Sequence, residues 1–103
     1  AIADLDRAIE LDPNDGAFLL LRGRMLLLGH KDERALADFD RAVKLSPSAE
    51  AYGYRGYAHF KLGNYDAAIA DAERAVNLNP DDTFYQNLLR QARAAKLARQ
   101  GAN

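Results

Sequence analysis

Three segments of the chain are near copies of one another: AIADLDRAIELDP (Ala1 to Pro13), ALADFDRAVKLSP (Ala35 to Pro47) and AIADAERAVNLNP (Ala68 to Pro80). Their closing prolines lie 34 and 33 residues apart. A fixed period of this size marks a solenoid of stacked helical pairs, and it outweighs any residue-by-residue reading of fold. Each pair buries its apolar face on its neighbours, so the chain needs no single large core. Function is bounded as well, because such stacks usually work by presenting an extended surface to a partner.

Inside each copy the apolar and alanine positions fall at helical spacing: Ala35, Leu36, Phe39, Ala42 and Val43 in the second, Ala68, Ile69, Ala72, Ala75 and Val76 in the third. Steps of three and four place one buried stripe on each helix. The helices should stop at Leu11-Asp12-Pro13, Leu45-Ser46-Pro47 and Leu78-Asn79-Pro80, because proline disfavours the helical conformation in the residue before it and has no N–H to donate. Asp15, Ser48 and Asp81 or Asp82 are then candidate caps for the next helices, since their side-chain oxygens can accept from free backbone N–H groups. Two further helices are expected over 16–28 and 50–62, each ending in a glycine turn, Gly29-His30-Lys31 and Gly63-Asn64-Tyr65, with Asp32 and Asn64 as caps beyond. Gly29 sits one residue earlier than Gly63 does in its own repeat, so the two turns are not expected to superpose. A last helix over 83–100 would bury Tyr85, Leu88, Leu89, Ala92 and Ala95, for six helices in all.

The chain resembles the tetratricopeptide repeat family, whose pattern is W-x2-L-G-x2-Y…A-x3-F…P. One repeat reads Leu19-x2-Arg22-Gly23-x2-Leu26, Ala35-x3-Phe39, Pro47; the next reads Tyr52-x2-Arg55-Gly56-x2-His59, Ala68-x3-Ala72, Pro80. The first copy keeps only a second helix, Ala1-x3-Leu5 and Pro13, and the tail resembles a first helix, Tyr85-x2-Leu88-Leu89-x2-Ala92. The resemblance implies an all-α, right-handed solenoid of antiparallel helix pairs. It would run as a closing helix (1–15), a repeat (16–48), a second repeat (49–82) and a capping helix with its tail (83–103). Departures are Arg22 and Arg55 for the usual Leu, Leu26 and His59 for Tyr, and Ala72 for the large aromatic. Because the pattern opens inside a repeat, the chain is expected to be a piece of something longer.

Composition narrows the chemistry. The formal net charge of −1 over 103 residues gives no generic attraction to nucleic acid. No apolar run approaches the ~20 residues of a membrane span. Without cysteine there is no disulfide or thiol chemistry, and its absence does not separate compartments. His30 and His59 lie in different repeats with no second ligand at metal spacing, and neither a metal nor another cofactor is expected. Asp12-Pro13-Asn14-Asp15-Gly16 looks like the start of a calcium loop, but Gly23 stands where the closing acid belongs. Asp4, Asp38 and Asp71 recur once per repeat, a structural period rather than a catalytic pair. Ser46 and Ser48 have no histidine in sequence range, so no nucleophile constellation is visible and no enzyme is expected.

Binding is the stronger signal. Leu19, Gly23 and Leu26 should face the partner helix of their own repeat. By resemblance to the family, the positions displaced around the helix line a concave surface: Leu20, Arg24 and Leu27, then Gly53, Tyr57 and Phe60, then Gln86, Arg90 and Arg93. Gly53 would leave room for a ligand backbone. The stretch Phe18 to Leu28 is apolar nearly all round, unusual for a helix with one solvated side; either a ligand or a neighbouring helix would cover it. Some family members clamp a C-terminal carboxylate with Lys and Asn at these groove positions, but Leu20, Arg24, Gly53 and Tyr57 do not carry that specificity over. The expected function is a protein-interaction module whose partner is a protein or peptide with apolar anchors and an acidic group. Two alternatives stand beside it: head-to-tail self-association through the solenoid edges, and a regulatory appendage of a larger enzyme. The tail supports the first of these, since Arg90, Arg93, Lys96 and Arg99 meet no acid there while Asp4, Asp6, Glu10 and Asp12 make the other end acidic. A solvated polar face explains the same cations. Ile2, Leu5 and Ile9 should be under-covered for want of an opening helix in the first repeat.

Finally, Arg22 and Arg55 precede the packing glycines in the repeats that hold Asp38 and Asp71. The guanidinium fork suits a partly buried bidentate pair, which predicts Arg22–Asp38 and Arg55–Asp71. The competing register crosses repeats, Arg22–Asp4 and Arg55–Asp38.

Overall fold

A computed structural model describes residues 2–101 of the chain. Among them are six helices: α1 (Ile2–Leu11), α2 (Gly16–Leu28), α3 (Asp32–Leu45), α4 (Ala49–Lys61), α5 (Tyr65–Leu78) and α6 (Thr83–Gly101). The three helices that carry the copied segments all end at their leucine, two residues before proline, as the N–H argument requires. Side-chain caps appear at Asp15, which accepts from Ala17 N at 2.9 Å, at Ser48, which accepts from Ala51 N at 3.0 Å, and at Asp82, which accepts from Phe84 N at 2.9 Å. Asp32 and Asn64 do not cap. Lys31 precedes α3 and Asn64 precedes α5, neither with a side-chain cap bond, and Asp32 is already the first residue of its helix. The Asn64 side chain instead meets His59 Nδ1 at 3.3 Å.

The turns overturn the expectation that they differ. His30 N donates to Leu27 O and Lys31 N to Leu26 O; Gly63 N donates to Phe60 O and Asn64 N to His59 O. The same pattern recurs one repeat on. His30 (φ 60°) stands where Gly63 (φ 83°) does, in the left-handed region that favours glycine. The register is kept by the hydrogen bonds, and histidine accepts the unfavourable dihedral.

Helices pair as α2 with α3 and α4 with α5; α6 packs on α5 and α4, and α1 packs on α2. The result is elongated, 47 × 27 × 19 Å. Leu19, Phe39, Ala35, Ala42, Ala58, Ala68, Ala72 and Ala75 are at most 1% exposed and form the spine between helices. Close approach depends on glycine. A Cβ at Gly23 would stand 2.5 Å from the Phe39 ring, a distance no carbon pair tolerates. The first helix is better covered than expected at Ile9, which is buried with Leu19 and Ala42. Ile2 and Leu5 remain half-open.

Both arginines pair within their own repeats. Arg22 Nε and Nη2 donate to Asp38 at 2.8 and 2.7 Å, and Arg55 Nε and Nη2 donate to Asp71 at 2.8 Å each. The third nitrogen crosses to the preceding repeat, but to Asp6 (2.9 Å) and Asp40 (3.5 Å), two residues beyond the acids of the competing register. Hydrogen bonds to Asp38 and to Asp71, opposed in part by burial, raise both guanidinium pKa values above the ordinary arginine range.

A trough along the opening helices

The helices α2, α4 and α6 lie side by side, and aromatic side chains fill the seams between them. Phe39 stacks on Tyr54 at 5.9 Å between centroids; Phe84 then meets Tyr54 at 5.7 Å, Tyr57 at 5.9 Å and its neighbour Tyr85 at 5.6 Å. Offset and edge-to-face rings at such distances add to burial. Two clefts open on this floor. The first, about 370 Å³, is lined by Arg24, Leu27, Leu28, His30, Tyr54, Tyr57 and Lys61. The second, about 200 Å³, is lined by Tyr57, Phe84, Asn87, Leu88 and Gln91. Tyr57 is a wall of both.

Charge lines the first cleft unevenly. The Arg24 guanidinium lies 5.0 Å over the Tyr54 ring and only 3.9 Å from Glu50, with both partners about half exposed. Such a pair is weak and readily exchanged for another carboxylate. Lys61 sits 5.8 Å over the Tyr57 ring and 3.2 Å from Asp32. An aromatic face holds a cation without neutralising it; Lys61 is met by Asp32, so Arg24 is the cation of this cleft more readily exchanged to a ligand carboxylate. The cleft therefore offers apolar walls with the Arg24 cation in reach of them, which suits a side chain of mixed apolar and acidic character.

Of the nine positions marked from the sequence, the structure gathers Arg24, Leu27 and Tyr57 in the first cleft. Leu20 is half-buried and packs against the cores beneath. Gly53 leaves no room for a ligand: a Cβ there would stand against Tyr85 Cε1, and the Tyr85 ring already fills the space. The reason is stacking of the repeats, since the capping helix brings its Tyr85 onto the glycine of α4. Phe60 turns toward α5, with its ring 5.9 Å from Tyr65. Gln86 donates to the carbonyl of Pro80, and Arg93 pairs with Glu73 at 3.3 Å, on the α5 side of α6. Arg90 is exposed on α6 and lines neither cleft. The tail cations Lys96 and Arg99 likewise serve α6, through Asp66 at 2.7 Å and through the carbonyl of Gly63 at 2.8 Å and the ring of Tyr65. Sequence reasoning missed Tyr54, Lys61, Leu28, His30 and Phe84. A signal was present: Tyr54, Tyr57 and Lys61 are spaced by three and four on one helix, one position round from the stripe that was chosen.

Among the described residues no group of acidic, histidine or cysteine side chains could hold a metal ion, and no helix is long and apolar enough to cross a membrane.

Comparison with known proteins supports the same architecture. Family models for the tetratricopeptide repeat match residues 1–50 and residues 49–82. The SGT1 homolog of Oryza sativa subsp. japonica is 54% identical over 33 residues, 32% of this chain and 9% of that protein. The chain thus spans under a tenth of that relative's length. The NMR structure of the first TPR domain of human RPAP3 superposes with a TM-score of 0.93 at 27% identity, covering 100% of this chain and 82% of that one. The first TPR of Spaghetti (RPAP3), solved with the HSP90 peptide SRMEEVD, superposes with a TM-score of 0.90 at 29% identity, covering 93% of this chain and 77% of that one. Paired helices at a 33- to 34-residue step, glycines under Phe39 and Tyr85, and the matched models agree: this chain belongs to the tetratricopeptide repeat family.

Proposed function

We propose that the chain is a protein-interaction module that holds a partner peptide along the trough of α2, α4 and α6. The observation that carries the reading is Tyr57, one side chain walling two adjacent clefts, with Arg24 and Lys61 beside it. An extended segment laid across Tyr57 would place one apolar side chain in each cleft and an acidic group near Arg24. The similar structure that holds SRMEEVD supports this chemistry, since that peptide combines Met and Val with Glu and Asp. The positions at which some family members clamp a terminal carboxylate hold Leu20, Arg24, Gly53 and Tyr57 here, so the fit expected is to an acidic, apolar-anchored segment and not to a clamped terminal carboxylate. No reaction is assigned to the chain.

A peptide array containing SRMEEVD and acidic peptides with internal apolar anchors tests the reading. Peptides with both features should bind, and Tyr57→Ala should cost about 2 kcal/mol, the usual weight of a central aromatic contact. Binding by acidic peptides regardless of anchors, unchanged in Tyr57→Ala, would contradict it.

A further inference from the structure

The cleft at the seam of α2 and α4 holds the cations Arg24 and Lys61, and the chain meets each with a carboxylate of its own. The two pairs differ in kind. Lys61 Nζ lies 3.2 Å from Asp32 Oδ1, with the side chains only 23% and 19% exposed. That oxygen is buried and accepts no hydrogen bond among the described residues, so it depends on Lys61 as its counter-charge. Drawing Lys61 toward a ligand would strand a buried carboxylate, which is costly. Lys61 is therefore committed to the fold.

Arg24 is not. Its Nη1 stands 3.9 Å from Glu50 Oε1, too far for a hydrogen bond, and the side chains are 47% and 52% exposed. The guanidinium also rests 5.0 Å over the Tyr54 ring, which fixes its place without using up its charge. Glu50, in the first turn of α4, can swing into water at little cost, because an exposed pair gains little over its two solvated ions. Release of Glu50 would leave Arg24 on its ring, unmatched in charge, beside the apolar walls Leu27 and Tyr57.

We propose that Glu50 is a specificity-determining residue of the trough: its carboxylate occupies Arg24 in the free protein and gives way to one carboxylate of a bound peptide. The proposal rests on the reading that a peptide lies across Tyr57. A neutral segment leaves Glu50 in place and gains nothing from Arg24. An acidic segment gains Arg24 but has first to displace Glu50. Glu50 thus sets how strongly the trough favours acid, and the fixed Lys61–Asp32 pair limits the cleft to one exchangeable charge. Selectivity of this kind is a difference between two occupants of one cation.

Fluorescence anisotropy with labelled SRMEEVD tests it, beside the same peptide with Gln for Glu, Asn for Asp and an amidated C-terminus. Glu50→Gln keeps the size of the side chain and removes its charge. It should tighten SRMEEVD about two- to fivefold, the worth of an exposed ion pair, and leave the neutral peptide unchanged. Arg24→Gln should weaken SRMEEVD, and in that background Glu50→Gln should add nothing, because there is no cation to free. A gain that persists without Arg24 would be relief of repulsion alone and overturns the exchange. A change shared by both peptides overturns it too, as the mark of a purely structural role for Glu50 at the start of α4. SRMEEVD binding that is lost in Tyr57→Ala but indifferent to Glu50→Gln overturns this proposal and leaves the trough reading standing. Binding of SRMEEVD that is indifferent to Tyr57→Ala, or no binding at all, overturns both.

Discussion

Arg22 grips Asp38 with two parallel hydrogen bonds, Nε to Oδ2 at 2.8 Å and Nη2 to Oδ1 at 2.7 Å, while its remaining nitrogen reaches Asp6 in the preceding helix. One side chain thus ties a hairpin together and ties it to its neighbour. The family's usual leucine at this place could supply packing alone.

The two acids should differ in weight. Asp38 is 7% exposed, and its removal would strand a partly buried guanidinium; Asp38→Ala should lower the unfolding free energy by about 3 kcal/mol. The Asp6 side chain is 46% exposed, so Asp6→Ala should cost less than about 1 kcal/mol. Urea titration checks both. Since the hydrogen bonds raise the pKa of Arg22, its contribution is fully present below the ordinary arginine range. It should not fade at ordinary alkaline pH.

Gly53 and Tyr85 make a second test. The Cβ of Gly53→Ala would stand against the Tyr85 ring, which can yield only by leaving its site under α4. A loss of about 2 kcal/mol is expected. At Gly29 the nearest atom to an added Cβ is 3.7 Å away and φ is −88°, so Gly29→Ala should stay within about 0.5 kcal/mol. Thermal unfolding of the two variants separates them.

His30 holds a left-handed dihedral that Gly63 holds in the next turn. His30→Gly should therefore stabilise the chain by about 1 kcal/mol, the relief of that conformation. A destabilised variant would mean that the imidazole contributes more to the turn than its backbone costs.

Tyr85 gives a pH dependence. Burial, with help from the nearby Asp82, raises its pKa above the ordinary tyrosine value of 10.0. A group bound more tightly to its proton in the folded state stabilises fully below the unfolded pKa and loses that contribution as pH rises through the folded value. Stability should fall above about pH 10, and Tyr85→Phe should lessen that fall. Phenolate absorbance during an alkaline titration should show one tyrosine ionising late.

Much of this was legible in the sequence. The repeat of Ala35-x3-Phe39 and Pro47 fixed helix type, helix ends and pairing, because burial stripes and proline stops are local properties. The Arg22–Asp38 register was readable for the same reason, as charge and glycine recur together in one repeat. The trough was less so. Gly53 looks open until Tyr85, a residue of the next opening helix, is packed on it, and Tyr54 and Phe84 meet only when α4 and α6 lie side by side. Contacts between neighbouring repeats depend on rotation of each helix by a fraction of a turn, which a periodic pattern does not resolve. The turns failed differently: glycine position suggested dissimilar loops, while backbone hydrogen bonding kept one geometry and placed histidine in it.

The central claim is that partners lie across Tyr57. The most direct measurement is an amide-resolved NMR titration of the labelled chain with an acidic, apolar-anchored peptide that binds on the array. The account predicts perturbations concentrated at 24–30, 54–61 and 84–91, lost in Tyr57→Ala and kept in Lys96→Ala. Perturbations confined to the outer face of α6 and to α5, lost in Lys96→Ala and kept in Tyr57→Ala, would contradict it.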